Sequence, residues 1–130
     1  MRIAAPQPVS TVHTALFAFG SARLTLPDAE GRRLVDDALD APLIVLRGRT
    51  DGAGDSLVDS RSARQRAEAV GSFLVQAGID PSRIRITWQP YGNHVADNSL
   101  PGGRSLNRRV EIEIYRVQPQ MAARGASAAS

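Results

Sequence analysis

Two residues of opposite charge, Asp51 and Arg66, stand fifteen positions apart in a chain of 130 residues. Asp51 lies in the segment RGRTDGAG, directly after a short apolar run. A loop leaving the carboxyl end of a strand commonly forms a binding crevice, and Gly52 and Gly54 let such a loop turn tightly and approach a ligand. Arg66 lies in a segment of helical period between Ser60 and Ala77. At about 100° per residue, Ala63, Ala67, Val70, Phe73, Leu74 and Ala77 gather on one arc that must face the rest of the protein. Arg61 and Arg64 fall outside that arc, and Arg66 falls inside it. A guanidinium placed there needs a partner, because an unpaired buried charge is strongly unfavourable.

The residues leave two partners open for Arg66: an internal one, either a carboxylate of this chain or water reached by snorkelling past the apolar face, or the carboxylate of a ligand. Asp51 is open in the same way, between capping its own turn and contacting a ligand. Brought to one crevice, the pair complements a zwitterionic amino-acid end. The ammonium meets Asp51, and Arg66 holds the carboxylate through two parallel hydrogen bonds, which a Lys ammonium cannot form. That chemistry is recognition without turnover. His13 and His94 lie in no metal-spaced cluster, Ser21, Ser56 and Ser60 sit in no nucleophile elbow, and both histidines read as surface or loop residues. The absence of cysteine excludes a thiol nucleophile, a disulfide framework and thiolate zinc sites. No enzyme, cofactor or metal is expected.

The elements that must position this pair follow from periodicity. HTALFAF reads as a first strand, and LPDAEGRRLVDDALD carries Leu34, Val35, Ala38 and Leu39 at helical spacing after Pro27 and Asp28. PLIVLRG, a continuous apolar run, is expected to be a central strand covered on both faces. The helix from Ser60 to Ala77 has Asp59 or Ser60 as its N-cap and ends at Gly78 and Pro81. RIRITWQ and VEIEIYRV alternate with period two, as half-buried strands do. The order β-α-β-α-β-β implies an α/β sandwich, an α+β arrangement with two main helices on one face of a mixed sheet. Residues 1–11, with Pro6 and Pro8, read as a leader or linker, 12–117 as one folded domain, and 118–130 as a disordered tail.

Composition narrows the partners. No run approaches the roughly 18 to 20 apolar residues of a membrane helix, so no membrane insertion by this segment is expected, and residues 1–15 lack the apolar centre of a signal peptide. The formal charge is +3 and all sixteen basic residues are Arg. Arg104, Arg108 and Arg109 with the outer helix face of Arg61 and Arg64 could suggest nucleic acid, but acidic residues are mixed among them and no aromatic stripe accompanies them, so no nucleic-acid partner is expected.

The segments LFAFGSARLTLPD, GRTDGAG, RQRAEAVGSFLVQAGIDPSRI and YGNHVADNSLPGGRSLNRRVEIEI resemble, in order, the successive blocks of OmpA-like domains, the peptidoglycan-binding type of the OmpA C-terminal region, Pal and MotB. The resemblance covers nearly all of the expected domain, and GRSLNRRVEI is its most specific part. It implies a periplasmic module of an outer-membrane or other envelope protein in a Gram-negative cell, binding peptidoglycan through the diaminopimelate of the stem peptide. The family's Asp and Arg for that ligand fall on Asp51 and Arg66 with spacing intact. Thr50 matches as a residue that orients the Asp loop, with Gly52 beside it. Asn107, Arg108 and Arg109 match the terminal Asn-Arg-Arg, where hydrogen bonding to the motif loops is expected, with Asn107 and Arg109 as secondary ligand contacts. The chain departs from the pattern at Arg49 (usually His), Asp59 (usually Asn), Ser62-Ala63 (usually Leu-Ser) and Gly20 (often Asn or Asp). Asp59 adds a second carboxylate able to neutralise Arg66 internally, and Gly20 leaves only backbone groups near the site. A second implied role is therefore an OmpA-like scaffold that has lost wall binding and joins other envelope proteins in an envelope or secretion assembly.

Overall fold

The computed structural model describes residues 9–52, 56–89 and 91–118. Four strands, β1 (Ser10–Leu16), β2 (Leu43–Gly48), β3 (Ile84–Trp88) and β4 (Arg109–Tyr115), form one sheet in the order β1-β4-β2-β3. Strand β4 runs antiparallel to both β1 and β2, and β2 runs parallel to β3. A parallel pair needs a crossover connection, which helix α2 (Leu57–Gln76) supplies; α1 (Asp28–Ala38) joins β1 to β2, and the short α3 (Pro101–Asn107) precedes β4.

The register explains the layering. His13, Ile112, Leu46 and Ile86 lie in one cross-sheet row, and Ile114, Ile44 and Ile84 in the next. Because paired residues point to one side and neighbours along a strand to the other, Val110, Ile112, Ile114, Ile44 and Leu46 all face the helices. They meet Leu34 and Ala38 of α1 and Ala67, Val70 and Leu74 of α2 in a single core cluster. The opposite parity carries Arg47, Arg109, Glu111 and Glu113 on a face without helices, where Arg47 donates to Glu113 at 2.8 Å.

Close approach of α2 depends on Gly48. A Cβ there would run into the backbone carbonyl of Ala63, so only glycine lets the helix lie against the end of β2 next to the Asp51 loop. Ser56 caps that helix, its Oγ accepting from the Asp59 amide at 3.3 Å.

The mixed sheet with both main helices on one face agrees with expectation, and several details do not. Strand β1 starts at Ser10 and ends at Leu16, upstream of the expected HTALFAF; Phe17 still donates its amide to the Arg108 carbonyl at 2.9 Å, after which the chain turns through Gly20 at φ 69°. Strand β2 is interior, yet only its helix side is fully covered, and alternate residues are half-buried. The capping residue of α2 is Ser56, not Asp59 or Ser60, and Ala77 is exposed at the helix end while Gly71 takes a buried place. The unexpected α3 begins Pro-Gly-Gly, a sequence of poor helix propensity. Pro101 suits a first helical position, and Gly103 packs so closely on the Asp97 backbone that a Cβ would clash. His13 lies in β1, as the expected strand has it, half-buried and bonded to Asp37 of α1 at 2.7 Å. Gly54 and residues 119–130 of the expected tail lie outside the described residues.

Candidate functional site

The loops after β1, β2 and β3 all emerge at the end of the sheet where Leu16, Gly48, Trp88 and Arg109 stand. The first turn of α2 reaches the same end, and it is here that the expected site residues gather. Arg66 projects from the core-facing side of α2 and is 2% exposed. Its guanidinium lies over the ring of buried Phe17, 5.8 Å from the centroid. Nε donates to the Ser21 carbonyl at 2.9 Å, and Nη1 donates to the Arg49 carbonyl at 3.4 Å. Among the described residues no carboxylate comes within 4.0 Å of it. Burial lowers its pKa from the usual value; Asp51 opposes that shift, the positive charge of Arg108 adds to it, and Asp59 opposes it more weakly.

Asp59 therefore does not neutralise Arg66 by contact, although its field reaches the guanidinium. The Arg49 side chain belongs to the helix-free face, where Nη1 donates to Gln89 Oε1 at 2.9 Å and Nε stands 3.8 Å from Glu111. Only its backbone carbonyl serves the site. Gly20 is exposed with nothing within 4 Å of an added Cβ. Its positive φ completes a turn closed by Ser21 N–H to Ala18 carbonyl at 3.1 Å, which presents the Ser21 carbonyl to Arg66.

The carboxylate of Asp51 is held by Arg108, whose Nη1 donates to Oδ2 at 2.9 Å. Arg108 also donates from Nε to the Phe17 carbonyl at 3.1 Å and from Nη2 to Ser105 Oγ at 3.0 Å. Thr50 is buried, and its Oγ1 accepts from the Gly52 amide at 3.0 Å, closing the turn around Asp51. From the other side, Asn98 Nδ2 donates to the Asp51 carbonyl at 2.8 Å and the His94 ring bonds the Gly52 carbonyl at 3.0 Å.

Asn107 and Arg109 act one step further out. Asn107 is fully buried; its Oδ1 accepts from the amides of Val95 and Ala96, and its Nδ2 donates to the Ala96 carbonyl and to Asn98 Oδ1 at 3.1 Å. Arg109 donates to the Asn93 carbonyl at 2.6 Å and pairs with Glu111 at 2.8 Å. Both thus brace the 93–98 loop, which in turn grips Asp51 and Gly52. This agrees with hydrogen bonding of the Asn-Arg-Arg run to the motif loops.

His94 and Asn98 are participants that sequence reasoning did not assign to the site, and Arg108, expected to hydrogen-bond the motif loops, proves to hold the Asp51 carboxylate itself. A signal for Arg108 existed. Continuing the period-two alternation of β4 backwards puts it on the parity of Val110, Ile112 and Ile114, the helix-covered side where the site lies, and puts Arg109 on the other. Among the described residues no group of His, Asp or Glu is arranged to hold a metal ion, and no helix is long and apolar enough to cross a membrane.

A family model described as the OmpA family matches residues 16–108, a span that holds every residue of this site except Arg109. The chain belongs to the OmpA family. It is 37% identical over 116 residues to Outer membrane protein A of Bordetella avium, covering 85% of this chain and 59% of that protein. It is 42% identical over 67 residues to the probable lipoprotein YiaD of Escherichia coli, covering 52% of this chain and 31% of that one. The chain thus spans less than two thirds of the length of these curated relatives. Among solved structures it resembles the peptidoglycan-associated lipoprotein from Burkholderia pseudomallei, with a TM-score of 0.68 at 23% identity over 78% of this chain and 88% of that one. It also resembles the cell wall anchor of the T6SS from Pseudomonas aeruginosa, with a TM-score of 0.63 at 25% identity over 82% and 81% of the two chains. The OmpA-like fold is shared with these proteins, and the family is non-catalytic.

Proposed function

We infer that this domain anchors an envelope protein or complex to the cell wall by holding the diaminopimelate of the peptidoglycan stem peptide at Arg66 and Asp51. The observation that carries this reading is a buried guanidinium that donates only to backbone carbonyls and meets no carboxylate among the described residues. A buried cation of this kind gains most from an anion that accepts two parallel hydrogen bonds. Kinship with a peptidoglycan-associated lipoprotein and a cell wall anchor supports the same reading, and names of relatives such as outer membrane protein and lipoprotein support a periplasmic setting. Single contacts of this sort are weak, and many sites along one polymer raise their joint strength.

A second reading, a scaffold that binds other envelope proteins and not the wall, draws on the Asp51–Arg108 ion pair, which already satisfies part of the Asp51 carboxylate. An NMR titration separates the two. Millimolar meso-diaminopimelate is expected to shift the signals of Gly52 and of the Arg66 side chain; unchanged signals favour the scaffold.

A further inference from the structure

Strand β3 ends the sheet on one side, and among the described residues no strand pairs with its outer edge. Just past its end, Gln89 donates its amide inward to the Gly48 carbonyl at 3.1 Å. In a parallel ladder the backbone groups of alternate residues turn inward and outward, so the amide and carbonyl of Ile86 face outward. An open edge of this kind is a template for a further strand. On the helix side of the edge, a groove of about 590 Å³ runs between β3 and α2, with Ile84, Ile86, Gly71 and Val75 along it. Ile84 and Ile86 share the parity of the core residues Ile44 and Leu46. Every second side chain of an added strand would therefore point to the groove. The opposite edge is built differently: the space between β1 and α1 is about 280 Å³, and the 2.7 Å contact of His13 with Asp37 ties that edge strand to its helix.

The other parity of β3 carries Arg85. It is exposed, its neighbour on β2 is Val45, and its side chain has no ion pair or hydrogen bond among the described residues. Glu68, the acid beside the groove, is already paired with Arg64 at 3.2 Å. The edge thus offers apolar contact on one side and a positive charge open to a partner on the other. A second copy of this chain joined antiparallel through β3 would bring two Arg85 side chains together, and like charges across a strand pair are destabilising. A strand carrying carboxylates on that side is complementary.

We propose that the β3 edge is a docking site for an extended segment of another protein, in which apolar residues alternate with Asp or Glu. The segment adds to the sheet as a further strand. Its backbone bonds that of Ile86, its apolar side chains enter the groove beside α2, and a carboxylate meets Arg85. Wall binding plays no part in this contact, so peptide docking and retention on sacculi succeed or fail independently.

The probe is a synthetic peptide of about seven residues alternating Val and Glu, acetylated and amidated at its ends, compared with its Val and Lys counterpart. NMR titration of the wild-type chain is expected to shift signals of β3, Gly71 and Val75, and to slow exchange of the Ile86 amide at saturation. The Glu peptide is expected to bind at least about fivefold more tightly than the Lys peptide. Arg85→Glu is expected to reverse that order with the folded spectrum retained, because the Arg85 side chain is exposed and has no partner among the described residues to lose. No binding of the Glu peptide at millimolar concentration, equal affinity for the two peptides, shifts centred elsewhere, or an unchanged order in Arg85→Glu each overturns the proposal. So does a chain that doubles in mass by itself with the Ile86 amide protected, which would make a second copy the occupant.

Discussion

The carboxylate of Asp51 accepts a 2.9 Å hydrogen bond from Arg108, not from Arg66. The buried guanidinium of Arg66 donates to the carbonyls of Ser21 and Arg49. Arg66 from α2 and Arg108, directly before β4, thus flank the Asp51 loop at one end of the sheet.

Arg66 is held for binding more than for stability. Replacing a buried charge by an apolar side chain of similar volume is often neutral or stabilising, and Phe17 already supplies an apolar surface beside it. Arg66→Met is expected to change unfolding free energy by no more than about 1 kcal/mol in a urea titration, against the loss of hydrogen bonds to two carbonyls, while abolishing wall retention. Arg66→Lys keeps the charge, and is still expected to weaken retention because an ammonium cannot match a carboxylate bidentately.

Gly48 decides how near α2 comes to the sheet. Gly48→Ala puts a methyl into the Ala63 carbonyl, and overpacking of this kind costs about 1–3 kcal/mol. A lowered thermal midpoint is expected, together with shifted amide signals for Thr50 and Gly52, because the helix and the Asp51 loop start from the same strand end.

Asn107 is the hub of the loop bracing. Its side chain makes four hydrogen bonds while fully buried, and losing it leaves buried backbone groups unpaired at about 1–3 kcal/mol each. Asn107→Leu is expected to lower stability by at least about 2 kcal/mol and to speed amide exchange at Val95 and Ala96. Wall binding then weakens as well, since Asn98 loses a partner and carries the Asp51 carbonyl.

Acid stability reports on the helix-free face. Hydrogen bonds from Ser10, and next from Arg47, hold the Glu113 carboxyl below its ordinary value of 4.5. A carboxyl depressed in the folded state binds fewer protons there than in the unfolded chain, so its contribution is complete above the ordinary value and is lost as pH falls through the depressed one. Stability is expected to decline below about pH 5, and Glu113→Gln is expected to flatten that decline. The measurement is urea unfolding at a series of pH values, and an unchanged slope in the variant contradicts the assignment.

Much of the fold was legible because it rests on periodicity. The alternation of Val110, Ile112 and Ile114 and the helical arc of Ala63, Ala67, Val70 and Leu74 report burial directly. Arg66 was legible for the same reason, as a charge on an apolar arc. Helix α3 was not, because Pro101, Gly102 and Gly103 have little intrinsic preference for helix and are held by contact with Asp97. The Asp51–Arg108 bond joins residues 57 apart through two loops, and no local pattern encodes such a meeting beyond the parity of β4. The expectation that Asp59 neutralises Arg66 followed from its charge and nearness in sequence; in the fold Asp59 sits in the first turn of α2 and acts on Arg66 only through its field.

Co-sedimentation with purified sacculi tests the central claim most directly. The wild-type chain is expected to pellet with the wall, and Arg66→Ala and Asp51→Ala to stay largely in solution while retaining the folded spectrum of the wild type. Equal pelleting of all three, or no pelleting of the wild type, contradicts recognition of the wall by this pair of residues.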